Sequence, residues 1–312
     1  MKKFFKIFLW VFIIFFILIN FISATNAYKF TYFYDRGEVV IKPENKETTW
    51  DHIREILLGK DYIKKENVAI PDSFSTVIFT TKDNIKLEAW YSQAKNPKGS
   101  VALFHGYGDN KSKVLGEGKA FLNMGYNVLL LDFRAHGNSG GNACTIGYKE
   151  AEDVKLAFDF LKNKGEKNIV LWGISMGAAA IAHSIEEYHL QPAKVILEMP
   201  FATMENAVEG QVRLMHLPEE PLSTFLTFWG GTEHGFWAFT MKPDEYVKDI
   251  HCPVLMQVGL HDIRVTPEER KEVFENLNLP KQLIIYNNSG HESLCKKEPL
   301  KWLASVSAFL NS

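Results

Sequence analysis

The sequence predicts an α/β protein: a mostly parallel sheet with helices on both faces, an antiparallel hairpin at its N-terminal edge and an inserted helical cap. Three observations carry that expectation. From about residue 100 onward, short apolar strands alternate with amphipathic helices, the pattern of a parallel sheet covered on both sides. One such strand, Ile169 to Trp172, runs directly into Gly173-Ile174-Ser175-Met176-Gly177 and then into a run of small helix formers. The rhythm breaks between about 200 and 245, where aromatic residues are interspersed with prolines and glycines, and then resumes.

Taken in order, the chain divides into three parts. Residues 1–27 form an N-terminal hydrophobic segment in which Lys2, Lys3 and Lys6 precede Ile7 to Ile19, thirteen residues without a polar side chain. Phe4 to Ile22 would make ~28 Å of helix against a hydrocarbon core of ~30 Å, which predicts a membrane anchor. The lysines place that end in the cytoplasm and the rest of the chain across the membrane. The alternative is a signal peptide, with Thr25-Asn26-Ala27 as a small-x-small cleavage site before Tyr28 and a secreted or periplasmic product. Residues 28–70 read as a polar lead-in with a helical pattern at Trp50, Ile53, Ile56 and Leu57, packed on the edge of the domain.

Residues 71–312 are expected to form the α/β domain. Ser75 to Thr80 and Ile85 to Tyr91 alternate about a Lys82-Asp83-Asn84 turn and predict the hairpin. Strands follow at Val101 to Phe104, Asn127 to Asp132, Ile169 to Trp172, Val195 to Glu198, Pro253 to Val258 and Lys281 to Tyr286. Helices are expected over 112–124, 148–162, 267–277 and 299–310, and the insertion at about 200–245 as a lid over the site. Most of its rings, Phe201, Phe225, Phe228, Trp229, Phe236, Trp237 and Phe239, are expected to form the cap's own small core.

Composition excludes several classes. The 312 residues are 46% hydrophobic and 23% charged with a formal charge of −2, so no basic excess points to nucleic acid. Cys144, Cys252 and Cys295 are too few and too scattered for a disulfide framework, match no metal spacing and read as structural thiols.

The chemistry concentrates at strand ends. A strand–turn–helix carrying G-x-S-x-G is a nucleophile elbow, where a Cβ at either glycine would clash and the serine Oγ is aimed out of the sheet. Serine needs a base and the base an orienter, expected later in the chain as acid then histidine, each after a strand. Val254 to Val258 leads to Asp262, and Leu283 to Tyr286 leads to His291, the one histidine after that acid. Asp244 and Asp249 follow no strand, and His261 is expected to point away. The backbone N–H groups of Met176 and Tyr107 are candidates for an oxyanion hole. His105, Arg134 and His136 are expected to stabilise loops.

From about residue 75 to the end, the chain resembles the α/β-hydrolase superfamily, in its esterase, lipase and serine-aminopeptidase-like branch. The matching residues are His105-Gly106, Asp132 to Ser139, Gly147-Tyr148 with Glu150 and Asp153, the elbow pentapeptide, Gly259 with Asp262, and Gly290-His291. The resemblance implies acyl transfer through an acyl-enzyme, with Ser175, His291 and Asp262 as the triad and no metal or organic cofactor. The expected substrate is a small-molecule ester of a medium-length or apolar acyl group. A peptidase or amidase on the same triad is the alternative, with Glu205, Glu209, Glu219, Glu220 and Glu233 able to receive a substrate amine. A binding protein that kept the fold without the chemistry is the third reading.

Overall fold

The computed structural model describes residues 2–42 and 46–312; Met1 and positions 43–45 of the lead-in lie outside it. The N-terminal segment is one unbroken helix, α1 (Lys2–Thr31), so the expected boundary at Ala27 falls inside a helix rather than at its end. Residues 4 to 18 are exposed apart from a half-buried Ile13, whereas Ser23, Ala27 and Thr31 are buried. The outer part of α1 therefore presents apolar side chains all round, as a bilayer-facing helix does, and the inner part packs on protein.

The lead-in contributes β1 (Phe33–Tyr34), α2 (Thr49–Leu58) and β2 (Tyr62–Ile63), with β1 and β2 paired in parallel. A capping box starts α2: Thr48 Oγ1 accepts from the Asp51 N–H, and the Asp51 carboxylate accepts from the Thr48 N–H. None of the α2 side chains is buried, and Trp50, Ile53, Ile56 and Leu57 all stay exposed.

The main sheet has eight strands: β3 (Ser75–Thr80), β4 (Lys86–Ser92), β5 (Ser100–Phe104), β6 (Asn127–Leu131), β7 (Ile169–Ile174), β8 (Lys194–Glu198), β9 (Val254–Gly259) and β10 (Lys281–Tyr286). Their order is β10-β9-β8-β7-β5-β6-β4-β3. Every pair from β10 to β6 is parallel; β4 is antiparallel to both β6 and β3. Helices α3 (Leu115–Asn123), α4 (Glu150–Asn163), α5 (Met176–Tyr188), α6 (Met204–Leu214), α7 (Leu222–His234), α8 (Pro243–Tyr246), α9 (Pro267–Asn276), α10 (Leu294–Lys297) and α11 (Pro299–Asn311) complete the fold.

Alternate residues of each strand point to opposite faces, and both faces are covered. On one side Ala102, Leu129, Leu171, Val195 and Met256 pack with residues of α4 and α5. On the other, Leu103, Leu130, Trp172, Ile196 and Leu255 pack with Phe121 of α3 and Trp302 and Phe309 of α11. Strands β5, β6 and β9 are accordingly buried at every position, which is why they read as continuous apolar runs. The chain winds one way from β5 to β6 and then crosses back to β7 on the other side of β5. In an open parallel sheet, the crevice at the carboxyl ends of two such strands is where a ligand binds.

Candidate active site

That crevice holds the elbow. Ser175 lies between β7 and α5 with φ 53° and ψ −116°, a conformation that costs a non-glycine residue about 1–3 kcal/mol. The flanking glycines permit it. A Cβ at Gly173 would lie 2.6 Å from the Gly177 carbonyl, and one at Gly177 would lie 2.3 Å from the Phe104 carbonyl oxygen. The Ser175 N–H donates to the Glu198 carbonyl at 2.8 Å, tying the turn to the end of β8.

Asp262, in the loop after β9, and His291, in the loop after β10, converge on Ser175. The Ser175 Oγ is 3.0 Å from His291 Nε2, and His291 Nδ1 is 2.8 Å from Asp262 Oδ2. The other carboxylate oxygen, Oδ1, accepts the backbone N–H groups of Arg264 at 2.8 Å and Val265 at 3.0 Å. Burial raises the Asp262 carboxyl, but the His291 ring and these two N–H groups together hold it below the usual carboxylate value. Asp262 is therefore an anion that accepts the Nδ1 proton and leaves Nε2 free to accept from the serine hydroxyl. His261 is exposed beside it, and Asp249 ends a 3₁₀ turn, Val247–Asp249, away from any strand end.

The loop after β5 lies against the serine: a Cβ built on Gly106 would sit 3.6 Å from the Ser175 Cβ. Tyr107 follows, and its hydroxyl donates to the Phe30 carbonyl of α1 while its ring stacks on Phe30 at 4.5 Å between centroids. His105 braces the loop, donating from Nδ1 to the Gly106 carbonyl at 2.8 Å and accepting the Phe133 N–H at Nε2, 3.1 Å. His136 does the same one layer out, accepting the Gly108 N–H at 3.0 Å, and burial pushes it down to about 4. Both rings are neutral spacers. Arg134 is closed off in an ion pair with Asp153 and Glu152.

Two features were not foreseen from the sequence. The first is a buried acid behind the elbow. Oε1 of Glu198 accepts from Trp302 at 2.6 Å, Trp172 at 3.0 Å and Gln257 at 3.0 Å. Burial pushes its carboxyl up to about 8 despite these donors, so it is protonated at neutral pH. The tryptophans were legible as apolar, but their meeting on one carboxyl depends on strand register and on α11. The second is a cavity of about 390 Å³ walled by α1, α2, α6 and α7. None of Ser175, Asp262 or His291 lines it; the Phe30 and Tyr62 side chains in its wall, at 6.1 Å, stand between it and Tyr107.

Several rings of the inserted cap do not form a core of their own. Phe225 meets Phe16 edge-on at 6.1 Å, Trp229 donates to Asn20 at 3.1 Å, and Phe236 stacks on Tyr148 at 4.1 Å. Phe228, Trp229, Trp237 and Phe239 do pack in sequence on one another, so part of the expected cluster forms while α1 and the body cover the other rings.

Fold and elbow are those of an α/β-hydrolase, and the chain is similar to members of that superfamily. A model of the serine aminopeptidase (S33) family matches residues 95–227. The uncharacterized protein YqkD of Bacillus subtilis (strain 168) is 26% identical over 230 residues, covering 72% of this chain and 75% of that one. Lysophosphatidylserine lipase ABHD12 of Mus musculus is 25% identical over 187 residues, 55% of this chain and 44% of the lipase. Among solved structures, the Pyrococcus furiosus esterase PF2001 superposes with a TM-score of 0.65 and 26% identity, covering 80% of this chain and 96% of the esterase.

Proposed function

We propose that this protein is a membrane-held serine hydrolase that cleaves carboxylic esters of apolar acyl groups through an acyl-enzyme. The hydrogen-bonded line from Asp262 through His291 to Ser175 carries the reading. In the proposed mechanism, Ser175 Oγ attacks the ester carbonyl as its proton passes to His291 Nε2, and Asp262 stabilises the imidazolium. The Met176 and Tyr107 N–H groups stabilise the oxyanion. His291 then protonates the leaving alcohol, and a water activated by the same ring releases the acid. Every proton is held by this chain's own side chains.

Three of the five cap glutamates that could receive a substrate amine are already held by neighbouring side chains. Glu219 is held bidentately by Arg213 at 2.8 Å, Glu220 accepts from Ser223 and Thr224, and Glu209 accepts from Asn206. Those three are engaged, whereas Glu205, raised by burial and by the nearby Glu209 and Glu220, and Glu233, raised by burial to about 7, have no side-chain partner among the described residues. The esterase and lipase names of similar proteins favour ester chemistry.

Residues 4–22 act as the anchor, with the catalytic domain outside the cytoplasm. Cleavage after Ala27 would cut a continuous helix at a buried residue and strip Ser23 and Ala27 from the body. A fluorophosphonate that labels wild-type protein but not Ser175→Ala, followed by turnover of p-nitrophenyl esters against aminoacyl anilides, tests the reading. Faster turnover of anilides would replace the ester assignment; labelling of the alanine variant would remove the nucleophile.

A further inference from the structure

The cavity between α1 and the cap lies outside the catalytic line, and its walls have an unusual origin. Ala27 and Phe30 come from the inner end of α1, Val208 and Val212 from α6, and Thr227 and Gly230 from α7. Most of that wall comes from the N-terminal segment and the insertion, the two parts added to the sheet. At about 390 Å³ it sits near the lower end of small-ligand pockets, roughly 300–1,000 Å³, which suits one hydrocarbon chain rather than two.

Its position joins it to the span. Phe16 and Asn20, within residues 4–22, meet Phe225 and Trp229 of α7, four residues apart on each helix, so α1 and α7 run side by side in the same direction. On α7 the cavity wall begins at Leu226, next to the residue that touches Phe16. On α1 it begins at Asn26, six residues or about 9 Å beyond Asn20. The same seam thus borders hydrocarbon at one end and the cavity at the other.

The wall also carries polar atoms that want a partner. Thr227 is 1% exposed, and its hydroxyl has no hydrogen-bond partner among the described residues; nor has the buried Nε2 of His234, about two turns further along α7. His234 lines the cavity, and burial, with Lys149 nearby, holds it below its ordinary value. On the α2 side the lining is polar, with His52 beside the charged Glu55 and Lys60. An apolar chamber with two buried hydrogen-bonding atoms and a charged rim matches an amphiphile, not a plain hydrocarbon.

We propose that this cavity binds the chain of a single-chain amphiphile drawn laterally from the bilayer along the α1–α7 seam, making the anchor helix a wall of the binding site. As a route for substrate this rests on the serine-hydrolase reading; as a binding site it does not. Full-length Ser175→Ala protein in phosphatidylcholine nanodiscs, photolysed with a diazirine-bearing palmitoyl lysophosphatidylcholine and mapped by peptide mass spectrometry, tests it without hydrolysis. Label is expected on α6 around Val208 and Val212 as well as on α1 and α7. A Cβ at Gly230 meets nothing within 4 Å, so Gly230→Leu fills the chamber without a backbone clash and should cut the α6 label about tenfold. Gln211→Trp, from the α6 wall, is the second variant and should do the same. Label confined to residues 4–22, or α6 label undiminished in both folded variants, overturns the proposal. Fluorophosphonate labelling of Ser175 in the wild type, run alongside, reports on the hydrolase reading separately.

Discussion

Replacing Asp262 by asparagine removes one charge and changes almost no volume, and the geometry dictates which way the new amide faces. Oδ1 of Asp262 accepts two backbone N–H groups, from Arg264 at 2.8 Å and Val265 at 3.0 Å. Turning the amide nitrogen toward them would set donor against donor and leave two N–H groups unpaired, a cost of about 2–6 kcal/mol. The oxygen therefore stays there, and the amide NH₂ faces His291 Nδ1 across the 2.8 Å contact. Nδ1 must then accept, the ring proton moves to Nε2, and Nε2 donates toward Ser175 Oγ at 3.0 Å instead of accepting from it. The base is lost while every heavy atom stays in place. A wrong-tautomer triad loses about 10⁴-fold in kcat, or roughly 5.4 kcal/mol at 1.36 kcal/mol per decade. The assay is kcat and KM for p-nitrophenyl butyrate, with circular dichroism to show an unchanged fold and Asp249→Asn as the control within twofold of wild type. Activity of Asp262→Asn within tenfold of wild type would refute the reasoning, and a larger loss at Asp249 would move the acid there.

Ser175→Ala should lower kcat by 10³-fold or more and abolish fluorophosphonate labelling, since only one half-exposed oxygen is removed; residual turnover within tenfold, in pure folded protein, would exclude Ser175 as nucleophile. Glu198 sits at about 8 in the folded chain against an ordinary 4.5, because burial raises it, so above pH 4.5 the unfolded chain releases a proton that the folded chain keeps. Stability should fall as pH rises from about 4.5 to 8, by on the order of 3–5 kcal/mol in total, and Glu198→Gln should flatten that slope. Thermal unfolding midpoints measured at pH 5, 6, 7 and 8 decide it, and equal slopes for both proteins would count against a buried protonated acid. Terminal sequencing of protein from washed membranes should find the chain uncleaved, and a terminus at Tyr28 would end the anchor reading.

The parallel core was legible because it is buried on both faces: β5, β6 and β9 are apolar at nearly every position, and the alternation with helices sets their direction. The elbow was legible because two glycines without room for a Cβ leave a local mark in the sequence. Asp262 and His291 could be placed because each sits just past a strand end. The Glu198 network was not, because three donors from β7, β9 and α11 meet there through register and packing. The helix expected over 112–124 also shortened to α3, Leu115–Asn123, after a 3₁₀ turn over Lys111–Val114 that Asn110 starts by accepting the Ser112 N–H.

The N-terminal segment shows most clearly what periodicity misses. Its apolar run announces a helix for hydrocarbon, and nothing in that run distinguishes the exposed outer part from the part that faces protein. The distinction lies in small and polar residues at its inner end. Ser23, Ala27 and Thr31 recur every four residues and let the body approach closely, and Asn20 receives Trp229. Thr25 and Asn26 donate to the Leu57 and Ile56 carbonyls of α2, and the Phe30 carbonyl receives the Tyr107 hydroxyl. Read as a cleavage site, Thr25-Asn26-Ala27 is a set of small residues; read in the fold, it is the seam where the N-terminal helix joins the body. The chain from Phe30 through Tyr107 to Gly106 then links that seam to Ser175 by one hydrogen bond and one close approach. On the proposed anchor reading, exchanging this helix for an unrelated span should cost activity, because its last turn holds the loop that carries a candidate oxyanion donor.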